Sequence, residues 1–250
     1  MWNKLKIHPT CYAFLLLCIV TGDFIRIDIC SLLLIIHELG HFLTAVILHY
    51  PTDNITFYPF GGIAKFKADL NSPLKKELLI LLMGPITQCL GFYLLKHLSF
   101  FASYQQLLTM IHYQILCFNL LPVYPLDGSR ILQCLLCYFI PYAQSFTIIY
   151  AISYLILLLI LLLFSLYFQI SYFLLFFLLL TRLLLERKKI KYYQEKFLLE
   201  RYLHTYHFPK HQIVTSEKEF KRDYRHTIHF PQYDLTEKQY LQKKYQQKKN

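Results

Sequence analysis

The sequence predicts an all-α polytopic membrane protein with about six transmembrane helices, a small β-hairpin loop, a broken fourth helix and a basic cytoplasmic tail. Three observations carry this reading. Of the 250 residues, 56% are hydrophobic and only 16% charged, whereas a soluble domain carries about 25% charged residues. Windows of about 20 mainly apolar residues, the length a helix needs to cross a bilayer, recur along the chain. The charge collects at one end: from Arg182 onward there are 17 Lys and Arg against 8 Asp and Glu, which is +9 of the net +11. Collagen, low-complexity disorder and a disulfide-dense secreted scaffold are excluded by the same composition.

In chain order the expected spans are Thr10 to Thr21, Asp28 to Leu48, Leu78 to Lys96, Gln105 to Leu121, Ser145 to Phe168 and Ile170 to Leu185. The first is short for a full crossing, and no small-residue cleavage site follows it, so it does not read as a cleavable signal. Lys4 and Lys6 precede it, and Lys65, Lys67, Lys75 and Lys76 lie between the second and third spans. Positive residues in short loops stay on the cytoplasmic side, so both termini are expected in the cytoplasm of a multi-pass cell-membrane protein. The domains expected are a membrane unit over 1–186 and a tail over 187–250. The tail reads as a helix from about Arg187 to Tyr206 followed by a polar segment. Its basic face suits anionic lipid headgroups. No nucleic-acid motif accompanies the charge, so no nucleic-acid partner is expected.

Between the second and third spans, Ile55 to Phe60 alternates in character and is followed by Gly61-Gly62 and a second short apolar run. This predicts two strands around a Pro59-Phe60-Gly61-Gly62 turn, either a plain cytoplasmic hairpin or a pair dipping into the interface.

The second span contains His37-Glu38-Leu39-Gly40-His41. Residues four apart share a helical face, so both imidazoles can address one cation, with Glu38 beside them to address a water. From the chain's own His and Glu frequencies, on the order of 0.02 chance matches to this pattern are expected. Ionisable groups in the bilayer core cost roughly 2.5 to 3.5 kcal/mol each on insertion scales, so three within five residues point to function. Zinc accepts neutral imidazole and keeps one position open in catalytic sites; one ion per chain is expected.

Two histidines leave such a site short of a ligand. Asp127 follows Asn119-Leu-Leu-Pro-Val-Tyr-Pro-Leu, where Pro122 and Pro125 end the fourth helix while the chain stays apolar. Non-helical backbone at membrane depth requires surrounding protein or a watery cavity. Alone, Asp127 reads equally as the N-cap of an Asp-Gly turn; beside His37 and His41 the ligand role is the better reading. Asn119 would supply an amide nearby. His97 and His112 are expected to pack or to sit at the interface. Cys134 and Cys137 form a CxxC without a second pair, which does not make a zinc ribbon.

Together these residues resemble the site-2 protease class of intramembrane zinc metalloproteases, its sporulation branch in particular. The matching stretches are His8-Pro9, His37 to His41, Pro59 to Gly62, Met83-Gly84-Pro85, Asn119 to Gly128 and Phe197 to Tyr202. The resemblance implies a zinc metalloendopeptidase of six spans. Its substrate would be a membrane-associated protein, in that branch a sigma-factor precursor, cut in the mother-cell membrane around the forespore. Inhibitory membrane proteins would hold it in check. Ser129 replaces a glycine common in the class. Residues 205–250 look too short and too polar for the complete nucleotide-sensing CBS domain that many relatives carry. In the mechanism expected, zinc on His37, His41 and Asp127 acidifies a water for the general base Glu38, and Asn119 with the 59–62 turn holds the substrate. A catalytically inactive scaffold of the same fold is the alternative. A metal transporter is disfavoured because the last two spans lack polar residues for a path.

Overall fold

A computed structural model describes residues 5–7, 22–50, 52–58, 61–66 and 70–247. The elements are β1 (Leu5–Ile7), α1 (Phe24–Ile47), β2 (Thr52–Tyr58), β3 (Gly61–Phe66), α2 (Leu74–Lys96), α3 (Gln105–Leu120), α4 (Asp127–Leu136), α5 (Tyr142–Tyr167), α6 (Ile170–Arg187), α7 (Ile190–Leu203), β4 (Lys210–Val214), β5 (Tyr224–Phe230), β6 (Tyr233–Thr236) and α8 (Glu237–Gln247). They form two compact units, Met1–Ala68 with Leu78–Leu120, and Asp69–Glu77 with Leu121–Asn250.

Among the described residues three helices are long and apolar enough to cross a membrane: α1, α2 and α5. The expected first span lies outside the described residues. α3 has only 16 residues, and α6 has 18 but includes Arg182, Glu186 and Arg187, so both fall short of the measure the other three meet. The broken fourth helix is present as α3, a non-helical stretch over 121–126, and α4.

In the first unit, α1 buries Ile29, Leu33, His37, Gly40, His41 and Thr44, a spacing of three and four that forms one stripe. Its other face shows Ile35, Leu39, Leu43 and Val46. A helix apolar on both sides belongs in a protein core or a membrane. Ile29, Leu33 and Leu34 pack with Leu108, Ile111 and Ile115 of α3. The expected hairpin is present, β2 running antiparallel to β3 with a bulge between Thr52 and Asn54. The sequence reading missed β1, which pairs parallel to β2 with Leu5 opposite Ile55.

In the second unit, α5 buries Tyr142, Ser145, Phe146, Ile149, Tyr150, Ser153, Leu157 and Ile160 along one face and turns through Phe168, at φ 51°, into α6. The helix expected over Arg187 to Tyr206 is shorter, 190–203. The segment expected as merely polar carries a sheet of order β4-β5-β6, the first pair parallel and the second antiparallel, followed by α8. Its apolar core is small, with Phe197, Leu198, Val214, Phe220, Ile228 and Leu241 buried. Two buried guanidiniums complete it, which is why hydrophobic periodicity alone does not reveal the fold.

Arg201, between the rings of Phe197 and Phe208, donates to Asn71 Oδ1 at 2.6 Å, to the Tyr224 and Lys221 carbonyls and to Glu237 Oε1 at 2.9 Å. Arg222 pairs with Glu77 at 2.5 Å and donates to the Ser72 carbonyl at 2.9 Å. Asp223 accepts the Leu74 N–H at 3.2 Å, covering an orphan donor at the start of α2. His226 Nε2 accepts the Lys221 N–H at 3.0 Å, so its proton sits on Nδ1, which donates to Glu237 Oε2 at 3.2 Å. Burial holds the His226 pKa below its ordinary value. Burial also pushes the Glu237 carboxyl up, but the hydrogen bond from His226 and the charge of Arg201 outweigh it, and its pKa lies below the usual carboxylate range.

Breaking a buried pair by removing one partner costs about 3 to 5 kcal/mol. Arg222→Met is therefore expected to lower the thermal midpoint of the detergent-purified chain, and Glu77→Gln added to it to recover part of the loss. Folded His226 takes its proton less readily than the unfolded chain does. Its contribution to stability is thus full above about pH 6.5 and fades as pH falls below that, while the Glu237 contribution persists to lower pH before it is lost. Hydrogen-exchange protection across 224–241 is expected to drop between pH 7 and pH 5.

Candidate metal centre

The four-residue spacing of His37 and His41 sets both rings on the buried stripe of α1, 1% and 6% exposed, with ring centroids 4.9 Å apart and nearly perpendicular. Their Nε2 atoms are 3.1 Å from each other. The Nδ1 atoms decide what this means. His41 Nδ1 is 2.8 Å from the Ile80 carbonyl, which can only accept, so His41 Nδ1 carries a hydrogen. His37 Nδ1 is 3.0 Å from Gln88 Oε1. The Gln88 amide is oriented by its Nε2, which donates to the His112 carbonyl at 3.1 Å, so His37 Nδ1 also carries a hydrogen. In neutral rings both Nε2 lone pairs then face each other. Such an arrangement is stable only with a cation, a proton or a metal, between them. Neutral imidazole nitrogens turned to one point fit zinc.

Helix α2 approaches closely enough to make this possible because two glycines remove side chains from the contact. A Cβ on Gly84 would fall on the His41 imidazole, and a Cβ on Gly40 would strike the Met83 carbonyl and Thr87 Oγ1. Thr87 Oγ1 lies within hydrogen-bond reach of the Met83 and Gly84 carbonyls on its own helix, and of the Ile36 carbonyl on α1 at 3.2 Å. Pro85, in the same turn, withdraws one backbone donor from α2. The Met83-Gly84-Pro85 stretch thereby gains a physical reason: it makes room for an imidazole.

Glu38 is half-buried beside the stripe. Asp127 opens α4 in the second unit, and the cap position falls on Leu126, so Asp127 stands in the first helical turn rather than as the N-cap. Asn119 is half-buried in the last turn of α3. Gly61 and Gly62 begin β3 opposite Tyr58 and Phe57. Pro59 and Phe60 lie outside the described residues. His112 is buried against Phe92, its ring stacked at 4.1 Å. Gln88 went unnoticed in the sequence reading. Its signal is a lone amide in the apolar run from Leu78 to Leu95, four residues after Gly84.

Residues 27–102 match the family model for peptidase family M50. The chain is 31% identical over 146 residues to stage IV sporulation protein FB of Bacillus subtilis, covering 57% of this chain and 51% of that protein. The chain is similar to the site-2 protease class of zinc metalloproteases. Zinc metalloprotease MJ0392 of Methanocaldococcus jannaschii is 33% identical over 109 residues, 41% of this chain and 31% of its own length. A solved structure, the site-2 protease from Methanocaldococcus jannaschii, superposes with a TM-score of 0.54 at 26% identity, covering 70% of this chain and 86% of that one. The chain spans about half or less of the curated relatives it matches. The M50 match takes in His37, Glu38, His41, Gly84 and Gln88, and Asp127 lies beyond it. Zinc is the metal these relatives point to, in keeping with the imidazole geometry of His37 and His41.

Overpacking by one methyl costs about 1 to 3 kcal/mol, and at residue 84 the displaced group is an imidazole. Gly84→Ala is expected to lower the zinc that copurifies with the chain, measured by atomic absorption after gel filtration.

Proposed function

We propose that this chain is an intramembrane zinc metalloprotease that hydrolyses a peptide bond in a membrane-associated protein. The observation that carries the proposal is the pair of converging Nε2 atoms on a helix apolar enough to cross a membrane. His37 and His41 hold the zinc, with Asp127 as the third ligand. When bound, the zinc acidifies water and polarises a carbonyl. Glu38, one residue from His37, has the position a general base needs: a carboxylate oxygen takes the proton of the attacking water and returns it to the leaving nitrogen. The Asn119 amide donates to the substrate backbone near the scissile carbonyl. β3 lies at the edge of its sheet and contacts α1, so an unwound substrate can add as a strand there, with Pro59, Phe60, Gly61 and Gly62 as the residues that would meet it.

Similarity to stage IV sporulation protein FB supports a sigma-factor precursor as substrate, inhibitory membrane proteins as regulators and the mother-cell membrane around the forespore as location. Both termini lie in the cytoplasm in this reading, and the basic tail meets anionic headgroups. An inactive scaffold has no need of the base, and Glu38 is present.

Co-expression with a membrane-associated sigma-factor precursor is expected to shorten the precursor. Glu38→Gln should keep zinc and lower cleavage by at least about 10²-fold, the usual worth of a positioned base. His37→Ala and Asp127→Ala should lose both. Wild-type cleavage by Glu38→Gln would overturn the mechanism.

A further inference from the structure

The polar contacts of His37 run across three helices. His37 Nδ1 on α1 donates to Gln88 Oε1 on α2 at 3.0 Å, and Gln88 Nε2 donates to the backbone carbonyl of His112 on α3 at 3.1 Å. The second Gln88 N–H faces His112 Nδ1 at 3.4 Å, and the His112 ring is fixed flat on Phe92. Gln88 itself is fully buried, with 0% exposure, among apolar neighbours where an unmade hydrogen bond is costly. A glutamine has both an acceptor and donors, and this position uses both kinds: the acceptor for the imidazole, the donors for α3.

From this thread we infer that Gln88 is a positioning residue for the metal centre. It fixes the Nδ1–H tautomer of His37 and aims its Nε2 at the point that His41 Nε2 also addresses. His41 needs no side-chain counterpart, because the Ile80 carbonyl does the same for it. The two imidazoles are thus held by different means, one by backbone and one by a replaceable side chain, and only the second can be tuned by substitution. Loss of such an outer partner of a zinc-binding histidine weakens metal affinity by about 10 to 100-fold. The inference rests on the zinc reading given above.

The test is zinc affinity of the full-length chain in detergent, measured by competition with a chromophoric chelator and independent of any substrate. Gln88→Leu removes the acceptor and is expected to weaken zinc by about 10 to 100-fold. Gln88→Glu keeps an oxygen for His37 Nδ1 but has no N–H for the His112 carbonyl, and is expected to bind zinc within about threefold of wild type or more tightly, since a carboxylate makes the imidazole a stronger ligand. Replacing zinc by cobalt adds a second readout: the visible ligand-field bands should shift in Gln88→Leu and be restored in Gln88→Glu. If Gln88→Leu does not fold, Gln88→Glu decides alone. Gln88→Leu binding zinc as wild type does, or Gln88→Glu as weak as a tenfold loss, would overturn the positioning role. A wild-type chain that takes up no zinc overturns the metalloprotease reading and this inference with it, so the two failures are told apart.

Discussion

Everything in the first unit is arranged around two imidazole nitrogens held 3.1 Å apart inside an apolar helix. Neither ring can turn to water in a hydrocarbon interior, so each Nδ1 must find a protein acceptor. Those acceptors, the Ile80 carbonyl and the Gln88 amide, lie on one helix, α2. To bring its backbone within reach, α2 must lose side-chain bulk at the contact, and Gly40 and Gly84 supply that loss. A metal-binding motif on one span thereby dictates the sequence of the next.

The sequence makes the periodic and the local legible. The His37 and His41 spacing specifies a shared face because four residues make about one helical turn. The hairpin follows from alternating residues around a turn, and the break after Leu120 from Pro122 and Pro125. What escaped depends on partners far away in the chain. β1 is three residues long and acquires meaning only from β2 some fifty residues later. Gln88 looks like an isolated polar residue until the helix bearing His37, 51 residues earlier, is laid beside it. Asp127 was legible as either ligand or cap, and the start of α4 at that residue sets the cap on Leu126.

The tail escaped for a different reason. Its core depends less on apolar runs than on two buried arginines, Arg201 with acceptors from several segments and Arg222 with Ser72 and Glu77. A guanidinium offers five donors in a planar fork, so one side chain can order a loop, a strand and a helix together. In a linear reading such an arginine is only one more charge in a basic tail. Asn71 precedes Arg201 by 130 residues and Ser72 precedes Arg222 by 150, which binds the tail's fold to a segment just before the third expected span.

The missing side chain at residue 84 also restricts how the chain can change length. A one-residue insertion or deletion within the first half of α2 would carry Met83 or Pro85 into the space of the imidazole and rotate Gln88 by about 100° away from His37. The hairpin over 52–66 has no such constraint, since strands can absorb an extra residue as a bulge, and β2 already has one. Length variation among relatives should therefore accumulate between α1 and α2, while the interval from Ile80 to Gln88 stays invariant in length.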